Sequence, residues 1–332
     1  MLPPRIIPLF FHEKVLLITG GTGSFGYGFF DYFIKNKDLL GLPHVVIYSR
    51  DETKQQQLQH YLTAQAPFFS VSFVIGDVRD ISQLESCFLH YLPDYVIHAA
   101  AMKHVSSCEK NPVEAVKTNI FGSHIIRTLC EKYKTKCALH LSADKAVLSE
   151  GIYGATKHIA EKIFTTPSSL CRFVNLRYSN VLGSRGSVIE VFQKQLQKNQ
   201  TLSVSTAAKR LFLSQEEVIM LAILALTDVS LHGTIIKKCP AIRIEDLASA
   251  MIELSGSGTC KKLSLHGEGE KDSALLFTEQ EGKHLVPVDE KIYLIDFFSN
   301  TSITEPPYGT HNAYILTKDE IKEIIQKILN EQ

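Results

Sequence analysis

Residues 15–26 read VLLITGGTGSFG, an apolar run that leads directly into a glycine-rich turn and the start of a helical pattern. Glycines in this spacing permit a tight turn, let the backbone approach a ligand, and leave a helix N-terminus directed at an anion. We therefore predict a strand, a turn and a helix that bind the pyrophosphate of a dinucleotide. The residues of this turn expected at the cofactor are Gly20, Thr22, Gly23, Ser24, Phe25 and Gly26.

The same alternation of apolar runs and helical patterns continues through the first two-thirds of the chain. Strands are predicted at 15–18, 45–48, 71–75, 95–98, 138–141 and 172–176, and helices at 24–35, 53–65, 81–89, 113–132 and 153–164. Short buried strands alternating with helices are typical of an α/β fold with a parallel, doubly wound sheet.

The alternation weakens after residue 180. Helical patterns at 188–198, 215–226, 244–254 and 318–329 are separated by short strands such as 234–238, and Thr317 is a plausible N-cap for the last helix. We assign residues 12–180 to a Rossmann domain, whose sheet can take further elements from the C-terminal half. Residues 181–332 are assigned to a smaller substrate-binding lobe with a C-terminal helix.

Composition excludes several classes of protein. The 332 residues carry 35 basic and 35 acidic side chains, which argues against a nucleic-acid-binding protein that relies on a positive field. Seven scattered cysteines, never spaced as C-x-x-C, predict reduced thiols in a cytoplasmic protein without a zinc site or any other bound metal. Apolar runs are too short for a membrane span, and residues 1–11 are expected to form an arm packed on the domain or on a neighbouring subunit.

The end of the second strand bears on the choice of cofactor. Ser49 and Arg50, with Lys54 nearby, suit the 2′-phosphate of NADP, whereas Asp51 next to Arg50 leaves NAD possible. Other positions expected at the cofactor follow the third, fourth and sixth strands or lie just beyond them. They are Asp77, where the carboxylate can accept the adenine amine, and Val78, Ala99, Lys103 and Val181.

Two pairs of ionisable residues predict the chemistry. Tyr153 and Lys157 lie four apart on a helix, so the lysine can lower the pKa of the phenol, which then takes a proton from an alcohol during hydride transfer. Asp144 and Lys145 are an acid and a base just before that tyrosine, as an enzyme that also eliminates water needs. A simple salt bridge at a strand end is the structural alternative for the second pair.

Seven motifs in order carry a family resemblance: TGGTGSFG, SRDE, GDVRD, HAAAMKHV, SADKA, YGATK and RYSNVLGSRGSV. Together they resemble the extended short-chain dehydrogenase/reductases that act on nucleotide sugars. The chain is most similar to the inverting UDP-N-acetylglucosamine 4,6-dehydratases of polysaccharide and pseudaminic-acid biosynthesis. The resemblance covers nearly the whole chain, and its most specific part is the S-x-D-K motif followed by Y-x-x-x-K.

The resemblance implies a catalytic role for each member of the two pairs. Tyr153, assisted by Lys157, would deprotonate the 4-hydroxyl of the sugar. Lys145 would then remove the C5 proton, and Asp144 would protonate the departing C6 hydroxyl. The resemblance also implies a UDP-linked sugar as substrate and a homo-oligomer as the assembly.

Substrate contacts are carried over from the same motifs. The positions are Lys103, His104, Asn180, Arg185, Gly186, Ser187, Val188 and Arg210. One departure lies in the family's phosphate-binding segment, which reads HGEGEK at residues 266–271 and lacks the usual arginine.

Two other functions stay open at the level of sequence. A 4-epimerase or reductase of the same fold would use Tyr153 and Lys157 without needing Asp144 and Lys145. A non-catalytic protein could have kept the dinucleotide-binding domain alone.

Overall fold

The computed structural model of the chain describes residues 8–184, 186–205, 208–263 and 273–330. The strands are β1 (Val15–Thr19), β2 (His44–Ser49), β3 (Val71–Ile75), β4 (Tyr95–His98), β5 (Cys137–Ala143), β6 (Arg172–Tyr178), β7 (Asn180–Val181), β8 (Leu202–Ser205), β9 (Lys209–Leu213), β10 (Gly233–Lys237), β11 (Ala241–Arg243), β12 (Cys260–Leu263), β13 (Leu275–Phe277), β14 (Leu285–Pro287), β15 (Ile292–Ile295) and β16 (Tyr308–Gly309). The helices are α1 (Ser24–Leu40), α2 (Glu52–Gln65), α3 (Ile81–Tyr91), α4 (Val105–Lys110), α5 (Pro112–Ala115), α6 (Gly122–Lys132), α7 (Ile152–Thr165), α8 (Val188–Gln197), α9 (Gln215–Thr227), α10 (Ile244–Ser255), α11 (Glu279–Gly282) and α12 (Lys318–Asn330). A π-helical turn (Val116–Phe121) and a 3₁₀ turn (Asp144–Ala146) complete the elements.

The large sheet has the strand order β14-β15-β10-β6-β5-β4-β1-β2-β3. Neighbouring strands from β10 to β3 pair in parallel, and β15 pairs antiparallel with both β10 and β14. The predicted α/β fold with a doubly wound parallel sheet is confirmed. The chain moves outward from β1 in one direction and from β4 in the other, so a cleft opens at the carboxyl ends of these two strands.

The segment predicted as a helix at 113–132 is helical throughout, but it contains a π-helical turn that the sequence did not indicate. In chain order the segment consists of α5, the π-helical turn and α6. A π-helical turn accommodates an extra residue and is often found at functional sites. Here it turns Asn119 inward, where its side chain binds both backbone groups of Met102 in the loop after β4.

The C-terminal half contributes to both parts of the molecule. Strands β10, β14 and β15 join the large sheet, and α9 packs on α1, β5 and β6. Helix α9 is apolar on nearly every side, which suits a helix enclosed by its neighbours. A second apolar core, built around Ile189, Leu247 and Ile321, holds α8, α10 and α12 together as the smaller lobe.

The chain before β1 packs on the base of the sheet. Phe11 is fully buried, with its ring 5.2 Å from the ring of Phe33 and 6.1 Å from that of Tyr95. Residues 1–7 of the predicted arm lie outside the described residues. Within the described ranges, no helix combines the length and the apolar character needed to cross a membrane.

Candidate active site

A cavity with a volume of about 1230 Å³ lies at the carboxyl ends of the central strands, between the sheet and the smaller lobe. Almost every residue predicted for the site lines this cavity. Gly26 and Asp77 do not line it, and Arg185 lies outside the described residues. The fold therefore brings the cofactor, catalytic and substrate positions to one place.

The glycine-rich turn depends on the absence of side chains. Gly20 has a positive φ of 68°, and a Cβ there would stand 2.7 Å from the Cα of Ala100 in the loop after β4. A Cβ on Gly26 would collide with the carbonyl oxygen of Gly21, so Gly26 lets α1 pack against the turn. Gly23 is the N-cap residue of α1 and supplies no side chain to cap the helix. This geometry fits the close approach of a pyrophosphate to the backbone and helix terminus.

The acidic and basic residues after β2 have different tasks. Asp51 caps α2 by accepting the Lys54 backbone N–H at 3.0 Å, and its carboxylate also lies 3.0 Å from the Lys54 ammonium. Arg50 is more than half exposed and lines the cavity. The Asp51 carboxylate is thus bound to the first turn of α2, whereas Arg50 lines the cavity.

Asp77 is held by arginines. Its carboxylate accepts the Arg79 Nε at 2.9 Å and the Arg79 backbone N–H at 3.0 Å, with Arg50 at 3.5 Å. Burial opposes ionisation, but the bonds from Arg79 nevertheless hold the pKa of Asp77 below its usual value. Its predicted contact with adenine stays a prediction.

Tyr153 and Lys157 lie one turn apart on α7, and both are buried in the cavity wall. Burial lowers the pKa of Lys157 to about 8, and its Nζ donates to the Leu141 carbonyl at 2.6 Å. The pKa of Tyr153 is raised, first by burial and then by Tyr178 and Asp144. Burial of the phenol dominates this shift, and the Lys157 ammonium bonds the Leu141 carbonyl, so the lowering of the Tyr153 pKa by Lys157 stays a prediction.

Asp144 and Lys145 form the 3₁₀ turn that follows β5. The Lys145 Nζ donates to Asp144 Oδ1 at 3.1 Å, with the aspartate side chain buried and the lysine side chain 33% exposed. Both line the same cavity as Tyr153. Gly154 allows α7 to pack directly on this turn, since a Cβ there would collide with the Lys145 carbonyl oxygen. The salt bridge of the structural alternative is therefore present, inside the cavity.

Buried oxygen atoms without hydrogen-bond partners gather around the cavity. Among the described residues, four of the six such side-chain atoms belong to cavity-lining residues: Thr118 Oγ1, Ser142 Oγ, Asp144 Oδ2 and Ser187 Oγ. A buried polar atom without a partner is costly unless a ligand satisfies it. Their concentration here indicates a site for a highly polar ligand.

Residues that are not among the predicted catalytic and binding positions also shape the site. Asn119 donates to Thr156 Oγ1 at 3.0 Å and accepts the Met102 N–H at 2.8 Å, so it ties α7 to the loop after β4. Gln215, at the start of α9, donates to the Ser24 carbonyl at 2.6 Å and joins the C-terminal half to the glycine-rich turn. Ser142 stood inside a recognised motif, whereas nothing in the local sequence distinguished Gln215.

The predicted substrate positions come from two parts of the chain: Lys103 and His104 lie in the loop after β4, and the other described positions lie at or after β7. Asn180 on β7 donates to the Leu211 carbonyl at 3.1 Å, which places it beside Arg210 on β9. Gly186 approaches His104, whose Cε1 lies 3.4 Å from a Cβ built on the glycine. The altered segment at 266–271 lies outside the described residues. In the described part of the chain, no group of three or more metal-binding side chains occurs.

Comparison with known proteins identifies the family. A model for the polysaccharide biosynthesis protein family matches residues 16–296. The chain belongs to this family. Within it, the chain is 36% identical to the inverting UDP-N-acetylglucosamine 4,6-dehydratase of Campylobacter jejuni, over 73% of this chain and 72% of that protein. It is 30% identical to the UDP-glucose 4-epimerase of Rickettsia akari, over 95% of this chain and 96% of that protein.

Solved structures agree with this membership. Pen from Bacillus thuringiensis superposes with a TM-score of 0.87 at 32% identity, covering 97% of this chain and 99% of that one. WbmG from Bordetella bronchiseptica, solved with NAD and UDP, shares the fold at a TM-score of 0.65 and 20% identity, covering 77% of this chain and 84% of its own. The resemblance inferred from the motifs is confirmed: this member of the polysaccharide biosynthesis protein family is an extended short-chain dehydrogenase/reductase of the nucleotide-sugar dehydratase and epimerase class.

Proposed function

We propose that the protein is a nucleotide-sugar 4,6-dehydratase that acts on UDP-N-acetylglucosamine with NADP as cofactor. The observation that carries this proposal is the position of Asp144 and Lys145 in the same cavity wall as Tyr153 and Lys157. Asp144 keeps one buried carboxylate oxygen without a hydrogen-bond partner among the described residues. A salt bridge with a purely structural role would have no use for a cavity or for an unsatisfied oxygen.

The cofactor would be held by the glycine-rich turn at its pyrophosphate and by Arg50 and Lys54 at its 2′-phosphate. When bound, the nicotinamide would accept a hydride from C4 of the sugar and return it to C6. Tyr153 would take the proton of the 4-hydroxyl, and Lys157 would hold the ribose and stabilise the phenolate.

Elimination requires a base at C5 and an acid at the C6 hydroxyl. Transfer of one proton from the Lys145 ammonium to Asp144, across their 3.1 Å hydrogen bond, would create both reactive forms at once. The neutral amine would then take the C5 proton, and the carboxylic acid would protonate the departing hydroxyl as the C6–O bond breaks. One water leaves, and the pair is then back at its original charges, an ammonium on Lys145 and a carboxylate on Asp144. Hydride return to C6 would be completed by a proton at C5, which balances the proton that Tyr153 took from the 4-hydroxyl.

The 4-epimerase named among the relatives is the second candidate. The Rickettsia akari protein matches over nearly the whole chain, which favours this alternative on coverage. Epimerisation needs the ketone to present its other face to the hydride, and it makes no use of Asp144 or Lys145. The presence in the cavity of a buried acid, Asp144, and a neighbouring base, Lys145, therefore favours dehydration.

Turnover in deuterated water distinguishes the candidates. Incubation with UDP-N-acetylglucosamine, followed by NMR, is expected to give a 4-keto-6-deoxy sugar nucleotide with deuterium at C5. A 4-epimer without solvent label would establish the epimerase instead. Cofactor binding without turnover across a panel of nucleotide sugars would point to a binding protein.

Substitution of Arg50 tests the cofactor. Arg50→Met should weaken NADP binding by about 10- to 100-fold, the loss expected for one charge-assisted bond to a phosphate. NAD lacks that phosphate, so its affinity should change little and serves as the control. Isothermal titration of both cofactors measures the difference, and equal losses for NAD and NADP would contradict the proposed 2′-phosphate contact.

Assembly as a homo-oligomer and a cytoplasmic location stay predictions. Sedimentation of the purified protein would test the first of these.

A further inference from the structure

A buried histidine lies directly behind the lysine of the active site. His140, on β5, is 1% exposed, and its Nε2 lies 3.2 Å from the Lys157 Nζ. The same ammonium also donates a hydrogen bond to the Leu141 carbonyl at 2.6 Å. Neither the reaction proposed above nor the motifs of the sequence assign His140 a role.

The hydrogen bonds of Asn175 determine which imidazole nitrogen carries the proton. Its Nδ2 donates to the Glu161 carbonyl at 3.1 Å and lies 3.2 Å from Thr234 Oγ1. Because the Glu161 carbonyl can only accept, the amide nitrogen must face it, and the amide oxygen of Asn175 faces His140 Nδ1 at 2.9 Å. Nδ1 therefore carries the proton, and the Nε2 lone pair is left to accept from Lys157.

The surroundings keep His140 uncharged. Burial lowers its pKa well below the usual value, and the charges of Lys157 and His98 act in the same direction. Two other titratable groups interact with Lys157: His98 on β4, and Glu161 on α7, the helix that carries Lys157 itself. Arg177 of β6 binds the Glu161 carboxylate. Tyr153 on the same helix and Asp144 after β5 share the cavity with Lys157. Among these groups, His140 is the side chain that bonds the ammonium.

We propose that His140 is a positioning residue for Lys157. Its Nε2 accepts one ammonium proton while the Leu141 carbonyl accepts a second, and the third proton is left to face the cavity. This contact stabilises the charged form of a lysine that burial would otherwise neutralise, and it fixes the direction of the amine. The assignment rests on the proposed function, in which Lys157 acts as a cation.

His140→Phe keeps the ring but removes the acceptor. Loss of a hydrogen bond to a charged group should lower the pKa of Lys157 by about one unit or more. The alkaline limb of the kcat profile should move to lower pH by the same amount, and kcat near pH 8 should fall about fivefold or more with little change in KM. His140→Gln offers an amide oxygen as acceptor, so the pKa of Lys157 in this variant should stay close to its wild-type value.

His98→Phe is the matched control. His98 is buried at the same depth on the neighbouring strand, but it bonds Thr19 Oγ1 at 2.8 Å and Ser123 Oγ at 3.1 Å. A role in packing alone would make the two variants equally defective without moving the pH profile. The proposal requires a shifted profile in the His140→Phe variant and an unshifted one in the control.

A second readout is independent of turnover. The pKa of Lys157 follows from the pH dependence of its acylation by trace acetic anhydride, with the modified peptide quantified by mass spectrometry. A pKa that is equal in the wild type and in the His140→Phe and His140→Gln variants would overturn the proposal. If the wild type dehydrates no nucleotide sugar, the proposed function fails, yet the acylation result still decides the role of His140. Should the phenylalanine variant not fold, the wild-type 15N signals of His140 provide the test: the proposal expects the Nδ1–H tautomer, and signals of the Nε2–H tautomer would overturn it.

Discussion

Lys145→Met lowers kcat for dehydration by about 10²- to 10⁴-fold, the contribution of one positioned general base. The methionine has a similar length and no proton-accepting nitrogen, so the cavity keeps its shape. Tyr153 and Lys157 remain in place on α7, and oxidation at C4 should still occur. Reduced nicotinamide should therefore accumulate in a single turnover, measured by its near-ultraviolet absorbance.

Asp144→Asn should also stop the elimination of water, because it removes the general acid instead of the base. The amide cannot deliver a proton to the departing hydroxyl, although it fills the same buried space beside Lys145. Exchange of the C5 proton with solvent should persist in this variant, because the 33% exposed Lys145 can lose its proton to water instead, and it should be lost in Lys145→Met. NMR in deuterated water separates the two outcomes.

Lys117→Met is the matched control for the lysine substitution. Its side chain is 53% exposed and pairs with Glu114 at 3.4 Å, and it does not line the cavity. Its kcat should equal that of the wild type. A Lys145→Met variant with wild-type kcat and full C5 exchange would show that the ion pair is structural and would end the dehydratase proposal.

Arg177→Met should lower the free energy of unfolding by about 3–5 kcal/mol, the cost of leaving a buried ion network without its cation. The guanidinium is 3% exposed and bonds Glu161 at 2.9 and 2.6 Å, Glu281 at 2.8 Å and the Leu276 carbonyl at 3.0 Å. Without it, two carboxylates stay buried without their charge partner. Urea denaturation measures the change.

An exposed pair provides the comparison. Lys194 and Glu190 form an i, i+4 contact on α8 with the lysine 66% exposed, so Lys194→Met should change the unfolding free energy by less than about 1 kcal/mol. Combining Arg177→Met with Glu161→Gln and Glu281→Gln should recover part of the loss, because the uncompensated charges are then gone. If Arg177→Met and Lys194→Met lowered the unfolding free energy equally, the buried ion network would contribute no more to stability than an exposed pair.

The local sequence was sufficient to predict the elements whose own apolar residues show that they are buried. Strands β1 to β6 were predicted because each is a short apolar run beside a turn, and the glycine-rich turn was predicted because its conformation depends on its own residues. The π-helical turn within the helix at 113–132 was not predicted, since Asn119 in this turn bonds Met102, which lies in a different loop.

Sequence alone determined the α/β class, the family and the identity of the four ionisable side chains, because these follow from periodicity and from motifs read along the chain. Only the tertiary structure decided the protonation balance around them. Burial raises the pKa of Tyr153, lowers that of Lys157, and places a neutral His140 behind the lysine. Such effects depend on which distant strands and helices exclude water from a group, and desolvation has no signature in the order of neighbouring residues.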